Sequence, residues 1–373
     1  MELPALLLCA GAAWLSYANG ANDNVKGVAT LLGSGTITFR QALTYGTLTT
    51  LAGSIAAVLI SGGLVAAFSG KGIVPSVFVG DTNFLVPVGI AAAIVVMTAT
   101  FFGLPISTTH ALVGGLAGAG VAAAGFDAVG WTSLSRTFLL PLLLSPLCAV
   151  ALVAVLYPLA SRARAKLGVE HDSRVCFGEV TAPVVAFADS GNAMSSPSNT
   201  WATVVASNAE CRVEYTGRVF GFQASKLLDR LHFASAGIVG FSRGLNDTPK
   251  IAALLLVGAA LSPVTAMIAV AVGMSIGAIL NGRRIAKTMS FDITSMNAGQ
   301  GFTANITTAA LVLGASRLGV PVSTTHVSVG AIFGIGISTG AARSGTIKKI
   351  LLAWLVTLPA AFALAWTIHR IRS

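Results

Sequence analysis

Charge is what this sequence has least of. Asp, Glu, Lys and Arg together make up 10% of its 373 residues and hydrophobic residues make up 54%, whereas soluble chains carry roughly 25% charged residues. So few charges cannot clothe a water-soluble surface, which excludes an ordinary soluble enzyme or binding module. The cysteines are also sparse. Cys9, Cys148, Cys176 and Cys211 form neither a C-x-x-C pair nor a metal-ligand spacing, so they read as inert thiols rather than a redox or zinc site. A basic segment is missing ahead of the first apolar stretch, where Glu2 is the early charge. The small residues Ser16 to Ala18 therefore do not mark a signal peptide, and 3-19 is expected to be a first spanning helix.

What the sequence does have is length in apolar runs. A bilayer core takes about 20 apolar residues per helix. Segments near that length cover 3-19, 42-69, 84-102, 103-124, 131-160, 231-256, 258-280, 302-316, 319-340 and 348-368. The 41 glycines suit close helix packing in lipid. The net charge of +10 belongs to the loops: Arg40, eight residues from Arg162 to Arg230, then Arg283, Arg284, Lys287, Arg343, Lys348 and Lys349 fall in alternate connections. Those loops are expected to face the cytoplasm, with the N-terminus outside, in the cell (inner) membrane. The distribution speaks against nucleic acid as a partner.

Two blocks are written twice. "GLPISTTHALVGG" at Gly103 and "GVPVSTTHVSVGA" at Gly319 lie 216 residues apart, and ten of eighteen positions agree across 103-120 and 319-336. "GANDNVKGVATLL" at Gly20 resembles "GLNDTPKIAALLL" at Gly244 at an offset of 224. Two motifs in the same order at nearly the same offset indicate duplication. Each half then holds five apolar segments, an odd number, so the halves must enter the membrane from opposite sides. The expected fold is an all-α polytopic membrane protein built from two inverted repeats of about five segments each, with broken helices or re-entrant hairpins and 10-12 membrane segments in all, the architecture of secondary transporters. The expected divisions are 1-160, a cytoplasmic insertion at 161-229 with some strand character around "VCFGEVTAPVVAFADSG" and "RVEYTGRVFGF", and 230-373. "SGNAMSSPSNT" within the insertion reads as loop.

In each Pro-x-Ser-Thr-Thr-His block, proline holds the chain out of a continuing helix and Ser or Thr caps the apolar helix that follows. Ser107, Thr108 and Thr109, with Ser323, Thr324 and Thr325, are expected to offer hydroxyls and free amides to a tetrahedral anion at two facing helix N-termini. The blander alternative is that these hydroxyls bond back to their own helices. Asp23 and Asp247, carboxylates in an apolar setting, are functional candidates by their cost alone, on the order of 3 kcal/mol each. With Asn22, Asn246 and carbonyls released where Gly20, Gly244 and Pro249 break the helix, they form an oxygen-rich environment for a small cation. The alternative is an i,i+3 ion pair to Lys26 and Lys250.

Aspartates beside an anion site would repel the ligand unless a cation intervenes or the ligand carries protons, so coupled binding of anion and cation is expected. Monovalent phosphate, which has both donors and acceptors, fits this better than sulfate. Gln300, Thr303 and Asn305 could complete a sodium site or simply bond between helices. His110 and His326 are read as helix-holding hydrogen bonders, with a proton role as the alternative. Asn24 and Thr248 are accessory candidates.

These paired motifs resemble the inorganic phosphate transporters of the PiT type, which carry Gly-Ala-Asn-Asp in each half, here "GANDN" and the variant "GLNDT", and a Pro-x-Ser-Thr-Thr-His block, here intact twice. The resemblance covers roughly 1-160 and 231-373. It implies cation-coupled phosphate uptake, with sodium in many members and protons or metal-phosphate in others, no further cofactor, and commonly a homodimer. Asp23, Asp247, Asn22 and Asn246 would be the ion and phosphate signature, and the two Ser-Thr-Thr triplets the phosphate cradle. Lys26 and Lys250 depart from the small residues usual after the signature, and Leu245 stands where the first copy has Ala21. Besides sodium/phosphate symport, the sequence leaves transport of another small oxyanion or of a cation alone, a phosphate sensor, and an intramembrane hydrolase using Ser107, His110 and Asp23. The i,i+3 spacing of Ser and His, copied twice, looks more like a helix cap than a nucleophile with its base.

Overall fold

A computed structural model describes residues 2-60, 62-177, 210-219, 221-257 and 261-373. The first repeat runs α1 (Leu3–Asp23), a 3-10 turn (Asn24–Gly27), α2 (Ala29–Gly33), α3 (Phe39–Ile60), α4 (Gly62–Phe68), α5 (Thr82–Phe101), α6 (Thr108–Ala124), α7 (Trp131–Leu134) and α8 (Leu140–Lys166). Strands β1 (Glu170–Phe177), β2 (Glu210–Thr216), β3 (Arg218–Val219) and β4 (Phe222–Gln223) follow. The second repeat runs α9 (Ala224–Val257), α10 (Pro263–Asn281), α11 (Arg283–Lys287), α12 (Ala298–Arg317), α13 (Thr324–Thr339) and α14 (Ser344–Arg372).

The chain forms two compact units, one of Met1–Arg162 with Leu228–Ser373 and one of Ala163–Leu227. The smaller unit contains two antiparallel pairs, β1 with β2 and β3 with β4. The segment "SGNAMSSPSNT" lies outside the described residues.

Among the described residues, six helices are long and apolar enough to cross a membrane: those beginning at Leu3, Phe39, Thr82, Trp131, Pro263 and Ser344. Large aliphatic side chains such as Leu59, Leu143, Leu280 and Leu355 stand exposed along these helices. A surface of this kind suits hydrocarbon rather than water, since the helices satisfy their own backbone groups. This is a multi-pass, all-helical membrane unit.

Glycines fix how closely the helices approach. A Cβ on Gly20 would run into the Met274 carbonyl, and one on Gly244 into the Thr50 carbonyl. A Cβ on Gly277 would meet Tyr17, and one on Gly53 would meet Phe241. Each partner of one contact lies 224 residues from a partner of the other, so the packing of α1 on α10 is repeated by α9 on α3 with the halves exchanged. The STTH helices show the same exchange displaced by about one helical turn: Gly114 and Gly118 of α6 abut Leu358 and Phe362 of α14, while Gly330 and Gly334 of α13 abut Pro146 and Val150 of α8. The duplication seen in the sequence is thus a two-fold exchange in the packing, the relation expected of inverted repeats.

One expectation needs correction. The first motif does interrupt its helix, since α1 gives way to the 3-10 turn after Asp23, but the second does not. Helix α9 runs unbroken for 34 residues with Pro249 inside it. Proline removes one amide donor, yet the helix continues through it, and Gly244, five residues earlier, packs against the Thr50 carbonyl of α3. Gly20 and Gly244 therefore serve close approach rather than breakage.

Replacing Gly118 by Val should lower the thermal unfolding temperature in detergent, because a backbone carbonyl fills the space a side chain needs, at a cost of about 1–3 kcal/mol. Gly314→Val, where nothing lies within 4 Å of the added carbon, should leave that temperature nearly unchanged.

Candidate functional site

The two Ser-Thr-Thr-His blocks open helices as their sequence demands. Ser107 caps α6 and Ser323 caps α13, each accepting a hydrogen bond from the main-chain N–H of its block's histidine at 3.2 Å. The cap residues have nearly identical backbone angles, φ −96° and ψ 115° for Ser107 and φ −95° and ψ 115° for Ser323. The first-turn amides of Thr108, Thr109, Thr324 and Thr325 have no carbonyl a turn earlier within their helices, so two positively polarised helix starts come together here.

The Asn-Asp motifs meet these helix starts across the repeat boundary. Lys26 Nζ pairs with the Asp23 carboxylate, donates to Asn22 Oδ1 at 3.2 Å, approaches the Ile106 carbonyl at 3.4 Å and donates to the Thr325 hydroxyl. Lys250 Nζ pairs with Asp247 at 3.2 Å, donates to the Val322 carbonyl at 2.7 Å and to the Thr109 hydroxyl at 3.0 Å. Exchange the halves and one set becomes the other: carboxylate of its own motif, carbonyl just before its own block's serine, threonine of the opposite block. Both i,i+3 ion pairs allowed by the sequence are therefore formed, within a wider network.

The asparagines fasten this network to the helices behind it. Asn22 donates to Thr100 Oγ1 at 2.9 Å and accepts from the Ile106 amide at 3.1 Å. Asn246 accepts from Ser316 Oγ at 3.2 Å and donates to the Val322 carbonyl at 3.3 Å. Thr100 and Ser316 are themselves equivalent at the 216-residue offset. Asp23 also accepts from Asn19 at 2.9 Å and from Thr325 at 3.2 Å, and Asp247 from Thr324 at 3.2 Å.

Sequence reasoning missed Arg243. It lies in α9 one turn before Asp247, with its Nε 3.6 Å from that carboxylate. Its Nη groups donate to Asn19 Oδ1 at 2.7 Å and Asn24 Oδ1 at 3.0 Å, and to Thr50 Oγ1 at 3.3 Å. The signal was a third charge inside the apolar run 231-256, four residues before Asp247 and at the position that matches Asn19 of the first repeat. Asn24, which accepts from this arginine, also donates to Thr47 at 2.9 Å.

Arg243 changes the electrostatics. The charged side chains buried among the described residues are Asp23 (1% exposed), Lys26 (2%), Arg243 (2%), Asp247 (4%) and Lys250 (1%). Three cations against two carboxylates leave one positive charge in excess. The repulsion expected between the aspartates and an anion does not arise, because each carboxylate already has an ammonium partner. Counted as ionised groups, the cluster has the polarity that suits an anion.

Other candidates fall elsewhere. Gln300 completes a capping box at the start of α12, its Oε1 accepting from the Asn297 amide at 2.9 Å while its Nε2 donates to Tyr157 at 3.2 Å. Its oxygen is engaged at the helix end. Thr303 bonds back to the Gly299 carbonyl at 2.9 Å, and Asn305 accepts from Thr30 at 3.0 Å and donates to Ser235 at 3.3 Å. No described hydrogen bond joins these three to the aspartates. Thr248 donates to Ser54 at 2.7 Å between helices. The His110 and His326 rings meet edge to face, 4.6 Å apart, and His326 Nδ1 lies 3.2 Å from the Leu142 carbonyl. That second contact is the helix-holding bond expected of a histidine here. Among the described residues no group of three or more His, Cys, Asp or Glu could hold a metal ion.

Comparison with known proteins identifies the family and the fold. The profile of the "Phosphate transporter family" matches residues 19–365. A protein of Pyrococcus horikoshii that bears the provisional name of a phosphate permease is 28% identical over 403 residues, covering 98% of this chain and 96% of its own. "Inorganic phosphate transporter 2-1, chloroplastic" of Arabidopsis thaliana is 28% identical over 418 residues, covering 94% of this chain and 69% of its own. A solved structure titled "The sodium-dependent phosphate transporter" shares the fold with a TM-score of 0.76 at 22% identity, over 100% of this chain and 99% of that one. Transport, not enzymatic chemistry, is the business of these relatives, and this chain belongs to the phosphate transporter family.

Proposed function

We propose that this protein imports inorganic phosphate by cation-coupled symport, with one site opened alternately to the two sides of the membrane. The observation that supports this reading most is the single positive charge in excess among five buried charged groups, set beside two helix N-termini. A monovalent phosphate would neutralise it. A divalent phosphate would need one further cation, either sodium or a proton carried on the phosphate itself.

In this reading Ser107, Thr108 and Thr109 with Ser323, Thr324 and Thr325 cradle the phosphate, and Asp23 and Asp247 with Asn22 and Asn246 hold the charged groups in place. Sodium as the coupling ion has the support of the structural neighbour's title. The proton has the support of the site: Gln300 is spent on a cap, and the carboxylates already hold ammonium groups. The repeats 1-160 and 230-373 would move against one another around this site, with 161-229 in the cytoplasm, the N-terminus outside, and two copies forming a homodimer in the cell membrane.

Radioactive phosphate uptake into proteoliposomes tests the function. Accumulation is expected under an inward sodium or proton gradient, and the gradient that drives it identifies the coupled ion. Unlabelled arsenate should compete and sulfate should not; no accumulation under either gradient, or equal competition by sulfate, would refute phosphate symport.

Asp23→Asn and Arg243→Gln should each reduce uptake at low phosphate about 10- to 100-fold, from the 1.5–3 kcal/mol typical of a hydrogen bond to a charged group. Expression and thermal unfolding measured alongside separate that loss from misfolding. Uptake at the unmodified rate in either variant would remove that residue from the site.

A further inference from the structure

This inference rests on the phosphate-transport reading and concerns what occupies the cation positions of the same site. We infer that Lys26 and Lys250 are tethered cations, filling the two positions beside Asp23 and Asp247 that a free metal cation would otherwise take, so that phosphate binds to this protein without sodium.

The argument begins with the oxygen sets. Lys26 Nζ is surrounded by the Asp23 carboxylate, Asn22 Oδ1, the Ile106 carbonyl and the Thr325 hydroxyl. Lys250 Nζ is surrounded by the Asp247 carboxylate, the Val322 carbonyl and the Thr109 hydroxyl. Carboxylate, amide or main-chain carbonyl, and hydroxyl are the hard oxygen donors that bind a small cation. Here both sets converge on an ammonium nitrogen. Carboxylate, main-chain carbonyl and opposite-repeat hydroxyl occur in both sets with the repeats exchanged, the Asn22 oxygen being additional at Lys26, so this is not the chance contact of one long side chain.

Charge and tethering point the same way. A sodium ion added within about 4 Å of either ammonium meets a like-charge repulsion that alone weakens its binding about a thousandfold at the effective dielectric of a protein. No third buried carboxylate is present among the described residues to offset it. The lysine, three residues along the same chain segment, is always at hand, whereas sodium must be drawn from solution. Each ammonium also links an aspartate of one repeat to a threonine at the opposite repeat's helix start. A tethered cation thus holds the two halves of the phosphate cradle together before any ligand arrives.

Two measurements on the purified full-length protein test this. The first is thermal unfolding without phosphate, in sodium and in choline chloride at equal ionic strength. The same midpoint is expected in both salts, because a ligand that does not bind the native state does not stabilise it; a saturable rise with sodium would overturn the inference whatever the protein transports. The second is calorimetric titration with inorganic phosphate in the same two salts. Equal affinity within about twofold is expected, and binding about tenfold or more weaker in choline would overturn the inference while leaving phosphate transport intact. Absence of phosphate binding in both salts would instead refute the transport reading and this inference with it.

Lys26→Asn removes the tethered charge and leaves an amide oxygen in its place. This variant should bind phosphate about tenfold or more tightly in sodium than in choline, and sodium alone should raise its unfolding midpoint. Equal weakening in both salts would make Lys26 a phosphate ligand and overturn the tethered-cation role. Should the variant fail to fold, the two measurements on the unmodified protein still decide.

Discussion

Two carboxylates in the interior of an apolar helical unit must each be given a positive partner, and most of the central architecture follows from how that is done. An isolated charge removed from water costs several kcal/mol even after relaxation. Asp23 and Asp247 meet that cost with lysines three residues later on the same chain segment, a spacing that brings side chains together on one face of a helix. The lysines in turn need acceptors for their remaining protons. They find them in the carbonyls that precede Ser107 and Ser323 and in the threonines of the opposite blocks. The ion pairs therefore fix where the two capped helices begin relative to the two Asn-Asp motifs, and the proposed phosphate cradle would be built in the same step.

Such a network tolerates little sliding, and the glycines supply the rigidity. Gly20 on Met274 and Gly244 on Thr50 bring backbones together within a turn of each aspartate. Close approach of this kind trades side-chain volume for van der Waals contact between backbones, the main source of helix association where lipid removes the hydrophobic drive. The equivalent seats in the other repeat impose the same spacing there. Packing and electrostatics consequently share one two-fold pattern, and a shift of α1 against α10 would move Asp23 and Lys26 relative to Thr325. A transporter that works by moving one repeat against the other would feel that motion directly at its ligand.

The repeats, the helical membrane class and both motif pairs were legible in the sequence because they rest on local chemistry that composition and spacing expose: apolar runs, Pro before Ser-Thr-Thr, and acidic residues where none belong. Arg243 was legible only as an i,i+4 neighbour of Asp247, since its other partners Asn19, Asn24 and Thr50 lie about two hundred residues away. Proximity of that kind is set by tertiary packing alone. The continuity of α9 through Pro249 was misread for a related reason: proline disfavours a helix locally, and tertiary context overrides such a preference. Gln300 has a competing role that is local: Asn297 three residues earlier forms a capping box with it, a pattern present in the sequence itself.

The excess of one positive charge has a consequence for how a carrier of this design avoids leaking. With the site empty, an uncompensated charge sits among buried groups, and any rearrangement that closes it off from water on both sides carries the desolvation cost of that charge. With a monovalent phosphate bound, or a divalent phosphate accompanied by one cation, the cluster is neutral and the cost falls away. Closure is then easiest for the loaded site. If the lysines supply the fixed charge, this discrimination is built into the covalent chain and does not depend on how much sodium surrounds the protein. The coupling ion would serve only to set the charge of the phosphate that fits: a proton already on the ligand satisfies that requirement as well as a separate metal ion does.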